Sequence, residues 1–168
     1  MRKKQQILHI HGGGAYLNYD DYIKDLKLKN YDPDKSNENR WNRNHNLYLD
    51  ENKFQIFRPE MPCSWNAKYL EWKIWFEKVL PYIKEDVILI GHSLGGNFLA
   101  KYLSENVLSV SIKQLHLVAP SYSKFEDDFK ITEFPKNFFE NNIAEVHIYH
   151  STDDDQVPIS ESEKYHND

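Results

Sequence analysis

Residues 86–100, DVILIGHSLGGNFLA, constrain this chain more than any other stretch. Val87, Ile88, Leu89 and Ile90 form a continuous apolar run, the pattern of a strand buried on both faces of a parallel sheet, although periodicity alone would also admit a buried helix. Gly91 breaks the run, and Gly91-His92-Ser93-Leu94-Gly95 follows the pattern G-x-S-x-G. Beyond it, Leu94, Phe98, Leu99 and Tyr102 return at helical spacing. A strand, a sharp corner and a helix in so few residues put Ser93 in a strained backbone conformation with its hydroxyl pushed outward. Glycines two positions to either side leave room for the crossing. Such a corner presents a serine as a nucleophile.

The rest of the chain alternates strand and helix patterns around this corner. Strands are expected at residues 5–10, 54–57, 87–90, 113–119 and 145–150. A helix fits residues 20–29, with Asp20 or Asp21 near its start. Trp65, Tyr69, Trp72, Phe76 and Val79 recur at helical spacing, with Ser64 as a cap and Pro81 as a stop. That aromatic stripe reads as core packing, not as a platform for stacking bases. The alternation predicts an α/β class domain: a doubly wound, mostly parallel sheet of about five strands with helices on both faces. At 168 residues a single domain, 1–168, is expected. Residues 31–52 are polar and Asn-rich; as a helix-to-strand connection they fall at the edge of the sheet away from any site, which gives a structural role despite His45. Residues 120–143 leave the carboxyl end of a strand and carry Tyr122, Phe125, Phe129, Phe134, Phe138 and Phe139, so they either form a small lid or pack onto the sheet.

Charge and composition close off other classes. A net charge of -5 offers no basic patch for a phosphate backbone, so no nucleic-acid partner is expected. After MRKKQQ only Ile7, Leu8 and Ile10 precede glycines, too few for a signal peptide, and no run approaches the ~20 apolar residues of a membrane span. Cys63, the only cysteine, has no partner for an intrachain disulfide and fits a reducing, cytoplasmic setting; it reads as a plain thiol and not as a nucleophile. Neither G-x-x-x-x-G-K-[ST] nor G-x-G-x-x-G occurs, and no cofactor is expected. The three consecutive aspartates Asp153, Asp154 and Asp155 lack the alternating oxygen ligands of an EF-hand loop, so no metal is expected. The oligomeric state is left open.

Two further stretches complete a constellation. His11-Gly12-Gly13-Gly14 ends the first strand in a turn whose backbone N–H groups can face a developing oxyanion. Ser151 to Pro158, STDDDQVP, puts a carboxylate after the last strand, at the same edge as Ser93. If the second strand pairs outside the first and the strand before Ser93 pairs on its other side, turn and serine flank one crevice.

With these residues in hand the chain resembles the α/β-hydrolase fold. More narrowly, PEMP before EWKIWFEK, together with GHSLGGNFLAKYL, resembles small bacterial serine hydrolases related to the retinoblastoma-binding protein 9 family; the likeness runs from Ile7 to Pro158. It implies a Ser, Asp, His triad in that order: Ser93 as nucleophile and Asp154 as acid, with Asp153 and Asp155 as its neighbours. The oxyanion donors are then the N–H of Leu94 and that of Gly13 or Gly14. The departure is the histidine. Only His166 follows Asp154, twelve residues on, in what reads as a helix starting at Ile159 and running away from the site. About eight residues into a helix is on the order of 12 Å from its top, which makes His166 a poor base, and His150 is an unsupported substitute. The expectation is a chain that stops before its last strand and catalytic histidine. It is then an impaired carboxylesterase for small, uncharged acyl esters, with a non-catalytic ligand- or partner-binding protein as the rival and an acyl transferase as a third reading.

Overall fold

The structure is a computed structural model that describes residues 4–30, 49–122, 128–131 and 137–167. Trp41 and His45, most of the 31–52 segment, and Phe125 and Phe134 lie outside the described residues. Strands β1 (Gln5–Ile10), β2 (Phe54–Phe57), β3 (Val87–His92), β4 (Ile112–Val118) and β5 (Ile143–Tyr149) form one sheet in the order β2-β1-β3-β4-β5. Every neighbouring pair is parallel. The order reverses between β1 and β3, so the switch point falls where the glycine turn and Ser93 leave the sheet. This is the doubly wound sheet expected from the alternation of patterns.

Helices α1 (Tyr19–Leu28), α2 (Tyr69–Val79), α3 (Leu94–Glu105), the short α4 (Asn137–Glu140) and α5 (Ser160–Asn167) join and follow the strands. Asn18, not Asp20 or Asp21, caps α1: its Oδ1 accepts from the N–H of Asp21 at 2.9 Å. The two aspartates instead occupy the first turn, where they complement the helix dipole. The helix expected from Ser64 begins only at Tyr69. Cys63 holds a positive φ of 48°, and the N–H of Asn66 closes a turn on Cys63 O at 2.8 Å. Ser64 and Trp65 therefore belong to that turn. Trp65 is 64% exposed, whereas the core position expected for it is filled further along the stripe.

The core lies between α2, α3 and the sheet. Trp72, Phe76, Phe98 and Phe129 are fully buried, with Trp72 edge-on to Phe98 at 5.7 Å and to Phe129 at 5.2 Å. Phe129, Ile131, Tyr122 and Phe138 join this cluster, so the described part of residues 120–143 packs inward. Among the described residues no helix is long and apolar enough to cross a membrane.

Asn97 on α3 fixes the exit of β4. Its buried Oδ1 accepts from the N–H of Ser121 at 2.7 Å. Asn97→Ala is expected to strand that N–H and cost about 1–3 kcal/mol, read as a lower thermal midpoint. An unchanged midpoint would show that another group takes over the bond.

Candidate active site

Ser93 is held by both elements it joins. Its N–H donates to Val118 O at 2.8 Å, extending the β3–β4 ladder by one residue, while its carbonyl accepts from Gly96 and Asn97 at 2.8 and 3.2 Å and starts α3. Serving as the last ladder residue and the first helical cap forces φ 51°, ψ -123° on a residue with a side chain. The flanking glycines are a steric requirement. A Cβ on Gly91 would lie 2.6 Å from Gly95 O, and one on Gly95 would lie 2.6 Å from His11 O. Among the described residues no imidazole is hydrogen-bonded to Ser93 Oγ.

The glycine turn passes directly over this serine: a Cβ on Gly12 would sit 3.1 Å from Ser93 Cβ. The turn is stapled to the segment before α2. Gly14 donates its N–H to Ser64 O at 2.9 Å, and its carbonyl accepts from Ala67 at 2.8 Å. His11 accepts the N–H of Met61 on Nε2 at 2.9 Å, so its proton is on Nδ1, which donates to Gly12 O at 2.7 Å. With both nitrogens engaged, His11 shapes the turn and is not placed to move protons. The bond to Ser64 also commits the N–H of Gly14. Of the two glycines, Gly13 keeps its N–H outside any described hydrogen bond, as does Leu94 at the start of α3.

Asp154 follows β5 in a tight acidic loop. Its Oδ1 accepts from the N–H groups of Gln156 and Val157, both at 2.9 Å. Asp153 bonds to Ser151 Oγ, and Asp155 only to the side chain of Gln156 at 3.2 Å, so Asp154 alone of the three is seated by backbone donors. His150 supports the loop from inside. Its side chain is 3% exposed, with Nε2 3.5 Å from Asp154 Oδ2. Nε2 donates to Val157 O at 2.6 Å and Nδ1 accepts from Ser162 Oγ at 2.5 Å. These bonds tie His150 to the acid loop and α5, not to Ser93. His166 lies on α5 by its backbone, but its side chain is outside the described residues.

Sequence reasoning did not foresee how α5 docks. Glu161, 5% exposed, accepts from Ser121 Oγ at 3.3 Å and from the N–H of Tyr122 at 3.0 Å, and Lys164 Nζ lies 2.5 Å from it. Tyr165 donates to Ser121 O at 2.7 Å, and burial drives its phenol far above the ordinary range. A helix that looks amphipathic in only a weak way thus carries a buried carboxylate that holds the β4 exit turn.

Beside Ser93 opens a cavity of about 910 Å³. Its wall joins the glycine turn and Ser93 to Tyr16, Lys29, Arg58, Glu60 and Trp65. Burial first, and then Asp25, pushes the Tyr16 phenol up; the hydrogen bond from Lys29 to Asp25 pushes the ammonium up as well, so Lys29 stays charged. Only the position of Arg58, at the carboxyl end of β2, could have flagged it from sequence, because ligands of such sheets bind at that edge. Among the described residues no group of three or more His, Cys, Asp or Glu side chains is arranged to hold a metal.

The model of the family described as serine hydrolase matches residues 34–168. No curated protein sequence matches the chain. Among solved structures, the ydeN gene product of B. subtilis is similar with a TM-score of 0.68 and 18% identity, covering 98% of this chain and 80% of that one. The "putative cell surface hydrolase" of Lactobacillus plantarum WCFS1 is similar with a TM-score of 0.51 and 15% identity, covering 98% of this chain and 76% of that one. At these identities the likeness is one of fold.

Proposed function

Because the chain belongs to the serine hydrolase family, we propose that it cleaves carboxylic esters through an acyl-enzyme on Ser93. The observation that carries this reading is the backbone of Ser93, bent to φ 51°, ψ -123° between a buried strand and a helix N-terminus. A strained non-glycine residue at that corner has a chemical use and no evident structural one. In the proposed reaction Ser93 Oγ bonds to the acyl carbon, the N–H groups of Leu94 and Gly13 stabilise the oxyanion, and the C–O bond to the alcohol breaks, with the serine proton going to the leaving oxygen. Water then cleaves the acyl-enzyme, restoring the hydroxyl and releasing the acid. Asp154 is the acid that would orient and charge-balance an imidazole. The narrower kinship with the retinoblastoma-binding protein 9 family, a single-domain organisation and a cytoplasmic setting in keeping with one cysteine belong to the same proposal.

No imidazole among the described residues is hydrogen-bonded to Ser93 Oγ, and ester turnover without such a base is expected to run on the order of 10⁴ to 10⁶ more slowly than with a complete triad. Prolonged incubation with a fluorophosphonate should still place the adduct on Ser93 ahead of every other hydroxyl, because the corner and its N–H donors remain. Peptide mapping checks this; labelling spread evenly over surface serines would defeat the proposal. The second reading, a hydrolase-fold protein that binds a ligand or partner without turnover, is favoured by a Ser93 Oγ to which no described imidazole is hydrogen-bonded, and uniform labelling would support it.

A further inference from the structure

On β4 and β5 two imidazoles face each other across neighbouring strands. The parallel register pairs His116 with His147. Their rings stack at 4.8 Å between centroids and 12° between planes, with the Tyr149 ring close to parallel beside both. The two Nε2 atoms belong to one hydrogen-bonded chain. His116 Nε2 lies 3.3 Å from Gln114 Oε1, Gln114 Nε2 donates to Glu145 Oε2 at 2.8 Å, and His147 Nε2 lies 3.0 Å from that same oxygen. Both nitrogens therefore point to the same side of the ring pair. Paired strands hold the two rings, so little freedom remains to be lost when they take a common ligand. Burial first, and then His147, hold His116 below the ordinary imidazole range, which keeps it in the neutral form a metal needs. The hydrogen bond from Gln114 and then that from His147 hold the Glu145 carboxyl below its usual range, so a negative charge stands beside the nitrogens. The His147 side chain is 39% exposed, and an ion can reach it from solvent.

We infer that His116 and His147 form a two-imidazole site for a late first-row transition metal ion, Cu²⁺ above all, with water in the remaining positions. Metal–imidazole bonds of about 2.0 Å need the two nitrogens about 3 Å apart, so the rings pinch together at their Nε2 ends. Each Nε2 donates in the free protein; in the bound form its proton moves to Nδ1, leaving both rings neutral. Cu²⁺ leads because imidazole sites follow the Irving–Williams order, in which it exceeds Zn²⁺. Glu145 acts through its charge, in keeping with the absence, among the described residues, of three His, Cys, Asp or Glu side chains arranged around one ion. Neither histidine lines the cavity beside Ser93, and the inference does not depend on the hydrolase reading.

The test is a Cu²⁺ titration of the full chain in a non-chelating buffer at neutral pH, read by calorimetry and by electron paramagnetic resonance. The tightest ion should show two imidazole nitrogens in its spectrum, and Zn²⁺ should compete for the same place more weakly. His116→Ala and His147→Ala should each weaken that ion about tenfold or more and leave one imidazole in the spectrum, since losing even an outer partner of a metal site costs about 10- to 100-fold. Glu145→Gln should weaken it about two- to fivefold through the lost charge. Circular dichroism reports the folding of each variant. Should a variant fail to fold, Cu²⁺ on the parent protein should protect His116 and His147 together from diethyl pyrocarbonate, as mapped by peptide mass. A spectrum with fewer than two imidazoles overturns the inference. So does an affinity unchanged in either histidine variant, or protection of other histidines while these two still react.

Discussion

Gly95→Ala is expected to destabilise the fold by about 3 kcal/mol or more, lowering the thermal midpoint by roughly 10 °C. The sign is the informative part. In an ordinary helix interior the same change gains about 1 kcal/mol, because alanine is the better helix former. Here the added Cβ would fall inside contact distance of Ile10 O and 2.6 Å from His11 O. Both are backbone atoms at the end of β1, and neither can swing aside as a flexible side chain would. The clash pushes α3 off the sheet at the point where the glycine turn begins. Gly96→Ala is the internal control: its Cβ would meet Pro120 Cβ at 3.2 Å and Gly91 O at 3.3 Å, tight contacts but not overlaps, and the cost should be smaller. A Gly95→Ala protein that melts within about 2 °C of the parent would show that β1 and α3 do not press together as described.

Ser93→Gly should abolish covalent labelling by a fluorophosphonate and, at the same time, raise stability. The backbone at φ 51°, ψ -123° costs a residue with a Cβ about 1–3 kcal/mol. Glycine adopts that mirror-image extended region freely, at a cost of about 0.5–1 kcal/mol in unfolded-chain entropy. The net gain is about 1 kcal/mol over the parent and should appear as a midpoint a few degrees higher. Ser93→Ala separates the two effects, because it removes the hydroxyl and keeps the strain. The glycine variant should therefore melt above the alanine variant while both fail to label. If it melts at or below the alanine variant, the corner is not strained, and the main support for a nucleophilic role is gone.

The sheet was legible because its strands are apolar runs punctuated by Gly and Pro. Residues 5–10 and 54–57 were expected and found as β1 and β2, and the order around the switch point followed from where the glycine turn and Ser93 had to meet. Trp65 was misread because it stands at helical spacing from Tyr69 and Trp72. What overrides the spacing is a tertiary bridge, Ala15 to Ala67 beside Gly14, which no local pattern reveals. Glu161 was missed for a related reason: a carboxylate in a polar helix looks solvated until the β4 exit turn it binds is placed next to it. Lys29 and Arg58 reach the cavity wall from the ends of α1 and β2, elements far apart in the sequence.

The bond from Ser93 to Val118 has a consequence for how the chain reaches its final state. In an all-parallel sheet no strand pairs with its sequence neighbour through a tight hairpin; Ile7 must find Ile88, and Val87 must find Ile112. Contact order is therefore high around the corner, and loop-closure entropy is spent before any contact there is gained. The strained geometry of Ser93 is closed by β4, so during synthesis it cannot be completed until residue 118 has left the ribosome. The serine is thus shaped late, by strands that must already be assembled, and nascent chains ending before β4 should carry an unreactive hydroxyl on an ordinary backbone.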